Sequence, residues 1–150
     1  MDLPHIYLVI VTLLAVYLVG ISLMTTQVTY PLYASVPAGA FVDYHARYNR
    51  RILPVIIVPG FPTFLAFVVY FFLRPDGIPG WAGLLVAAGG AAALIATVST
   101  AIPAHVRLQR DGFTTAAYRR LRTADAVRTL GCVLSATVLI GCALTAFAPR

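Results

Sequence analysis

Four runs, residues 6–24, 52–73, 81–102 and 129–147, contain no Asp, Glu, Lys or Arg. In hydrocarbon a segment must satisfy its own backbone hydrogen bonds and needs about 20 apolar residues to cross, so each run reads as a transmembrane helix. Composition agrees: 11% of the 150 residues are charged, against roughly 25% in a soluble domain, and 60% are hydrophobic. A water-soluble fold is excluded. The expectation is an all-α, integral membrane, antiparallel four-helix bundle with cytoplasmic helical extensions, forming one domain over residues 1–150. The linker 74–80 is too short for the second and third helices to be anything but antiparallel neighbours.

No positive segment precedes the first run, which is longer than a signal-peptide core and reads as a membrane anchor. Orientation follows from the basic residues, all 11 of which are Arg. Arg47, Arg50 and Arg51 lie between the first two runs, and Arg107, Arg110, Arg119, Arg120, Arg122 and Arg128 between the last two; Arg74 and Arg150 fall at the opposite end. The positive-inside rule puts both basic connections in the cytoplasm and both termini outside, in a multi-pass protein of the inner (plasma) membrane. Anionic headgroups account for the net charge of +6, so nucleic acid is not an expected partner and the lipid bilayer is.

Within the runs the signals are those of packing. Cys132 and Cys142, ten residues apart on one helix, are beyond disulfide reach at ~15 Å. Gly83, Ala87 and Ala91, with Gly90, make a small-residue stripe, and Gly131 and Ser135 another, where helices can approach closely. Such a stripe also suits a scaffold or a homo-oligomer. Pro54, Pro59, Gly60 and Pro62 must interrupt the second helix, leaving carbonyls without partners and producing a kink or an unwound stretch. The absence of ionisable residues in the runs argues against ion-driven transport.

Candidate chemistry lies at the arginine-rich end. Residues 25–51 are expected to be a loop that enters a helix near Pro37, on which His45, Tyr48, Asn49 and Ile52 share a face and Asp43, Arg47 and Arg50 form another. His45 suits a general base or a metal ligand; its bland reading is an interfacial histidine bonded to a loop carbonyl. Asp43 has an i, i+4 ion pair with Arg47 as its alternative. The third helix continues past the membrane, where Pro103 aims His105, with Thr97 and Ala101 below it. Beyond Asp111-Gly112 an arginine-rich helix feeds the last span, and its Asp125 either pairs with Arg122 or Arg128 or faces the bundle mouth. His45, His105, Asp125, Tyr48 and Asp43 are thus the candidate catalytic residues; Tyr30, Tyr44, Asn49, Thr97, Arg51 and Arg128 are the candidate substrate contacts. His45 and His105 with Asp43 or Asp125 would make a two-histidine, one-carboxylate set of the non-haem iron type, so the site works either without a cofactor or with a divalent metal on the two histidines.

The strings Tyr30-Pro31-Leu32, Phe41 with Tyr44-His45 and Arg50-Arg51-Ile52, Pro103-Ala104-His105 with Leu108 and Gly112, and Arg119-Arg120-Leu121 with Arg128-Thr129 resemble a family of small bacterial four-helix membrane proteins loosely grouped with anthrone oxygenase-like proteins. In that family further histidines stand at the positions of Thr29 and Tyr48, and Asn-Trp replaces Asp125-Ala126, so this chain keeps two of the histidines. The resemblance implies a tailoring enzyme for hydrophobic, aromatic polyketide-like metabolites of secondary metabolism, with oxidoreductase chemistry. Two other classes stand beside it: a non-catalytic binding or export-accessory module for a hydrophobic small molecule, and a membrane scaffold.

Overall fold

The computed structural model describes residues 2–148, and over them the chain forms four long helices: α1 Leu3–Tyr33, α2 Ala38–Leu73, α3 Gly80–Asp111 and α4 Thr115–Ala146. Each contains one uncharged run and is long and apolar enough to cross a membrane, so this is a multi-pass membrane protein. At about 1.5 Å per residue the helices extend ~45–55 Å, beyond the ~30 Å of bilayer hydrocarbon, and the excess lies at the arginine-rich end. Large apolar side chains face outward, with Leu13 66%, Leu130 70% and Leu144 72% exposed, as expected where the surrounding solvent is lipid. Arg150 lies outside the described residues; Arg74 caps the far end of α2, donating to the Phe71 and Ile78 carbonyls.

Local chemistry sets the ends. The Asp2 carboxylate accepts from the His5 backbone N–H at 3.1 Å to start α1, and Thr114 caps α4 through the Ala117 N–H at 3.4 Å. Gly112 ends α3 with φ +76°, and Gly77 turns the α2–α3 connection with φ +86°, a region L side chains rarely enter.

The structure departs from expectation between α1 and α2. Instead of a long loop, α1 continues to Tyr33 and only residues 34–37 break the helix. Residues Thr25–Thr29 form a π-helical turn, and the Thr25 hydroxyl donates back to the Ser22 carbonyl at 2.8 Å, so polar residues are accommodated without leaving the helix. Nor does the second helix unwind. A second π turn covers Leu53–Ile57, including Pro54, and a third covers Thr97–Ala101, two residues before Pro103, as the first lies two residues before Pro31. A proline lacks an N–H and its ring presses on the carbonyl four residues back; the wider π turn relieves that clash. Carbonyls in these turns find side-chain donors, Tyr17 Oη to Val55 O and an Arg122 Nη to Thr26 O, each at 2.7 Å.

The helices neighbour one another in the ring α1–α2–α3–α4, antiparallel throughout. Two apolar clusters fill the interior. One, around Leu8, Phe67, Tyr70, Val86 and Leu139, occupies the span; the other, around Tyr30, Tyr33, Phe41, Leu108 and Leu121, fills the arginine-rich end. The glycine stripes serve internal contacts: Gly83 and Gly90 seat Phe71 and Phe67 of α2, and Gly89 meets Gly131, while Ser135 Oγ donates to Val86 O at 3.0 Å. Both cysteines are buried and free.

The α3–α4 contact leaves no room for a methyl group. A Cβ on Gly131 would stand 2.5 Å from the Gly89 carbonyl oxygen, whereas one on Gly141 meets nothing within 4 Å. Gly131→Ala therefore destabilises by about 1–3 kcal/mol, and Gly141→Ala, where alanine is the better helix former, is neutral or slightly stabilising. Thermal unfolding in detergent, followed by helical circular dichroism, checks the contrast; equal melting temperatures would contradict it.

Candidate functional site

Two polar groups lie at the arginine-rich end. The first is a histidine pair. His45, on the projecting start of α2, is fully buried, and its Nε2 lies 3.0 Å from Nδ1 of His105, on the projecting end of α3. Gln109, one turn after His105, donates from Nε2 to the Val42 carbonyl at 3.2 Å, which turns its Oε1 toward His45 Nδ1 at 3.0 Å. That orientation places the proton of His45 on Nδ1 and leaves its Nε2 to accept from His105 Nδ1–H. The lone pair of His105 is then on Nε2, which faces the Tyr30 hydroxyl at 3.4 Å. The Asn49 Nδ2 sits 3.2 Å from the same His45 Nδ1, and since both are donors in this tautomer it makes no hydrogen bond there.

Aromatic rings enclose the pair. Phe41 stacks on His45 with ring centroids 5.6 Å apart, Tyr33 meets His45 edge-on at 5.6 Å, and Tyr48 stacks on His105 at 6.3 Å. The pair lies beyond the uncharged spans, and there burial pushes both imidazoles below the ordinary histidine value; His45 and Arg128 add to the effect at His105. Both rings are accordingly neutral near pH 7, and the Nε2 lone pair of His105 is unprotonated, with a proton affinity that burial lowers to a pKa of about 3. Among the described residues the Tyr33 hydroxyl has no hydrogen-bond partner.

His105 is also one wall of an apolar groove of about 550 Å³ between α2 and α3, lined with Asn49, Ile52, Leu53, Ile57, Ile102 and Gln109. The π turn at Leu53–Ile57 supplies part of this wall. Basic nitrogen and hydrophobic groove thus meet at one ring.

The second group is a buried ion pair. Asp125 and Arg128 of α4 are 1% and 6% exposed, with Asp125 Oδ1 2.5 Å from an Arg128 Nη. The Thr26 hydroxyl donates to Asp125 at 2.6 Å, and Thr25 Oγ1 lies 3.4 Å from the same carboxylate. Arg128, Ser22, Thr97 and Cys132 line a small cavity of about 20 Å³, room for about one water, between the two apolar clusters.

The expected site residues therefore divide. His45, His105, Tyr48, Asn49 and Tyr30 come together. Asp125, Arg128 and Thr97 belong to the inner polar group, with Asp125 both paired to Arg128 and facing into the bundle. Tyr44 and Arg51 line a separate recess on the outer face of α2 beside Tyr48. Asp43 is exposed and forms no ion pair with Arg47 among the described residues. The expected two-histidine, one-carboxylate set is not assembled: no three His, Cys, Asp or Glu converge among the described residues, because Asp43 points to the surface and Asp125 is held by Arg128 and Thr26. The neighbour that orients His45 is instead an amide, Gln109, and not a loop carbonyl. Gln109 and Tyr33 were not among the expected site residues and Phe41 entered only through the resemblance, although Gln109 stands four residues after His105 and Phe41 four before His45, spacings that put each on its histidine's face.

Comparison with protein-family models, with curated proteins and with solved structures finds no match to this chain. What the site can do is read from its own geometry.

Proposed function

We propose that this protein is a membrane enzyme that takes a hydrophobic aromatic substrate from the bilayer into the α2–α3 groove and removes a proton from it with His105. The observation that carries the reading is that His105, whose Nδ1 is held by His45, forms the wall of an apolar groove at the end of the spans. The arrangement follows the logic of a nucleophile–base–orienter triad, with Gln109 fixing His45 and His45 fixing His105. Protonation of His105 at Nε2 strengthens its Nδ1–H bond to His45, which stabilises the charged intermediate.

An anthrone suits this site. Its ring methylene is acidic, and loss of the proton gives a carbanion conjugated as a phenolate, which reacts with dioxygen. Overall, anthrone and O₂ give the anthraquinone and water: one oxygen atom becomes the new carbonyl and the other leaves as water with the two methylene hydrogens. The Tyr30 hydroxyl, 3.4 Å from His105 Nε2, turns in this reading to the developing oxyanion. In this reading the arginine-rich end, and with it the groove, faces the cytoplasm of the inner membrane.

The test is oxygen uptake and anthraquinone absorbance when purified protein in detergent is given an anthrone under air. Turnover above the rate of empty micelles and of His105→Ala supports the enzyme. An anthrone that binds but is not converted by wild type would replace it with the binding-module reading.

A further inference from the structure

We propose that a second recess, between α3 and α4, binds the phosphate of an anionic lipid headgroup. Ser99, Thr100, Pro103, Ala104 and Arg107 of α3 and Arg120 of α4 line it, enclosing about 240 Å³. Arg107 and Arg120, thirteen positions apart in sequence, are brought together only by the fold, and no acidic side chain lines the recess. The nearest acid along α3, Asp111, is engaged by Arg110 through two bonds of 2.6 and 2.9 Å. Among the described residues neither Arg107 nor Arg120 is in an ion pair, so two guanidinium groups stand with their donors unclaimed by carboxylate. One hydroxyl joins them: Ser99 Oγ spends its proton on the Ile95 carbonyl at 2.7 Å, whereas Thr100 Oγ1, 3.2 Å from Ser99 Oγ, has no backbone acceptor among the described residues and can turn to the recess. Two guanidinium forks with a hydroxyl match a phosphate diester.

Depth selects a lipid over a free anion. Ser99 and Thr100 stand in the last turn of the uncharged run 81–102, where hydrocarbon gives way to headgroups. On α4, Val127 and Leu134 stand seven and fourteen residues after Arg120 on its face and are 41% and 40% exposed, an apolar surface for acyl chains beneath the phosphate position. The recess is on the opposite flank of α3 from the His105 groove and is independent of the proposed reaction.

The experiment is native mass spectrometry of detergent-solubilised protein with equimolar phosphatidylglycerol and phosphatidylcholine. Wild type should retain phosphatidylglycerol preferentially, and Arg107→Gln/Arg120→Gln should lower that preference roughly tenfold. Arg47→Gln/Arg50→Gln removes the same charge from the other connection and should leave the preference intact. Melting temperatures of the two variants establish that both fold, as expected for exposed side chains. Equal losses in the two variants would reduce the effect to diffuse charge, and an absence of preference in wild type would remove the site. Displacement of the lipid by millimolar inorganic phosphate would reassign it to a free anion. Any of these three overturns the proposal.

Discussion

Asp125→Ala destabilises the protein by about 3–5 kcal/mol, lowering the melting temperature in detergent by roughly 10 °C. The carboxylate is 1% exposed and is the counter-ion of Arg128, itself 6% exposed, so its removal leaves a buried guanidinium without its counter-ion. Thr26 loses its acceptor in the same step, and with it a tie between α1 and α4. Asp125→Asn keeps an oxygen for Thr26 but not the charge, and should recover only part of the loss. The informative control is Asp125→Leu/Arg128→Met, which removes both charges and keeps volume; it should melt near wild type or above, because paired burial of two ions is close to neutral while an orphaned ion is not. If Asp125→Ala melts with wild type, the pair contributes nothing to the fold.

Loss of His105 should lower turnover about 10²–10⁴-fold, the usual contribution of a positioned general base, with ligand retention in the groove little changed. His105 supplies one ring among many apolar contacts, so binding and chemistry separate at this residue. His45 acts through His105, and His45→Ala should cost less, about 10–100-fold, in line with outer-shell partners that orient a reactive group. Its diagnostic is the pH profile: without the Nδ1–H acceptor His105 is free to rotate and to ionise differently, so the acid limb of kcat shifts in His45→Ala but not in a variant that merely loosens packing. Tyr30→Phe removes the hydroxyl 3.4 Å from Nε2 and should lower kcat while sparing KM. Parallel falls of binding and turnover in all three variants would mean that the cluster is structural.

How far the site was legible follows from spacing. His45, Tyr48 and Asn49 share a helical face, and that face does meet His105, because an i, i+3, i+4 pattern is fixed by helix geometry alone. The histidines' placement on the same end followed from counting spans. What the pattern could not tell was which acid accompanies them. Asp43 and Asp125 are each near a histidine by topology, yet one rotates to the surface and the other is captured by an arginine one turn away. Gln109 escaped notice because glutamine carries no charge signal, although it holds the tautomer on which the proposed chemistry depends.

The loop expected over residues 25–36 is a similar lesson. A run of threonines, tyrosines and a proline has low helix propensity, but membrane-level backbone has no water to bond and hydroxyls can return their protons to the preceding turn, so the helix carries on through a π turn.

By itself the sequence determined four spans, their alternating direction and the charged end, since each follows from a property summed along the chain: hydropathy over some twenty residues, linker length and the distribution of arginine. Tertiary structure alone decided the partners across helices. It set His45 on His105, Asp125 inside the bundle with Arg128, Gly89 on Gly131, and Arg107 beside Arg120. Those contacts depend on the rotation of each helix about its axis to within a fraction of a turn. In these helices that rotation is shifted by π turns at three prolines, and local pattern carries no measure of the shift until the helices pack.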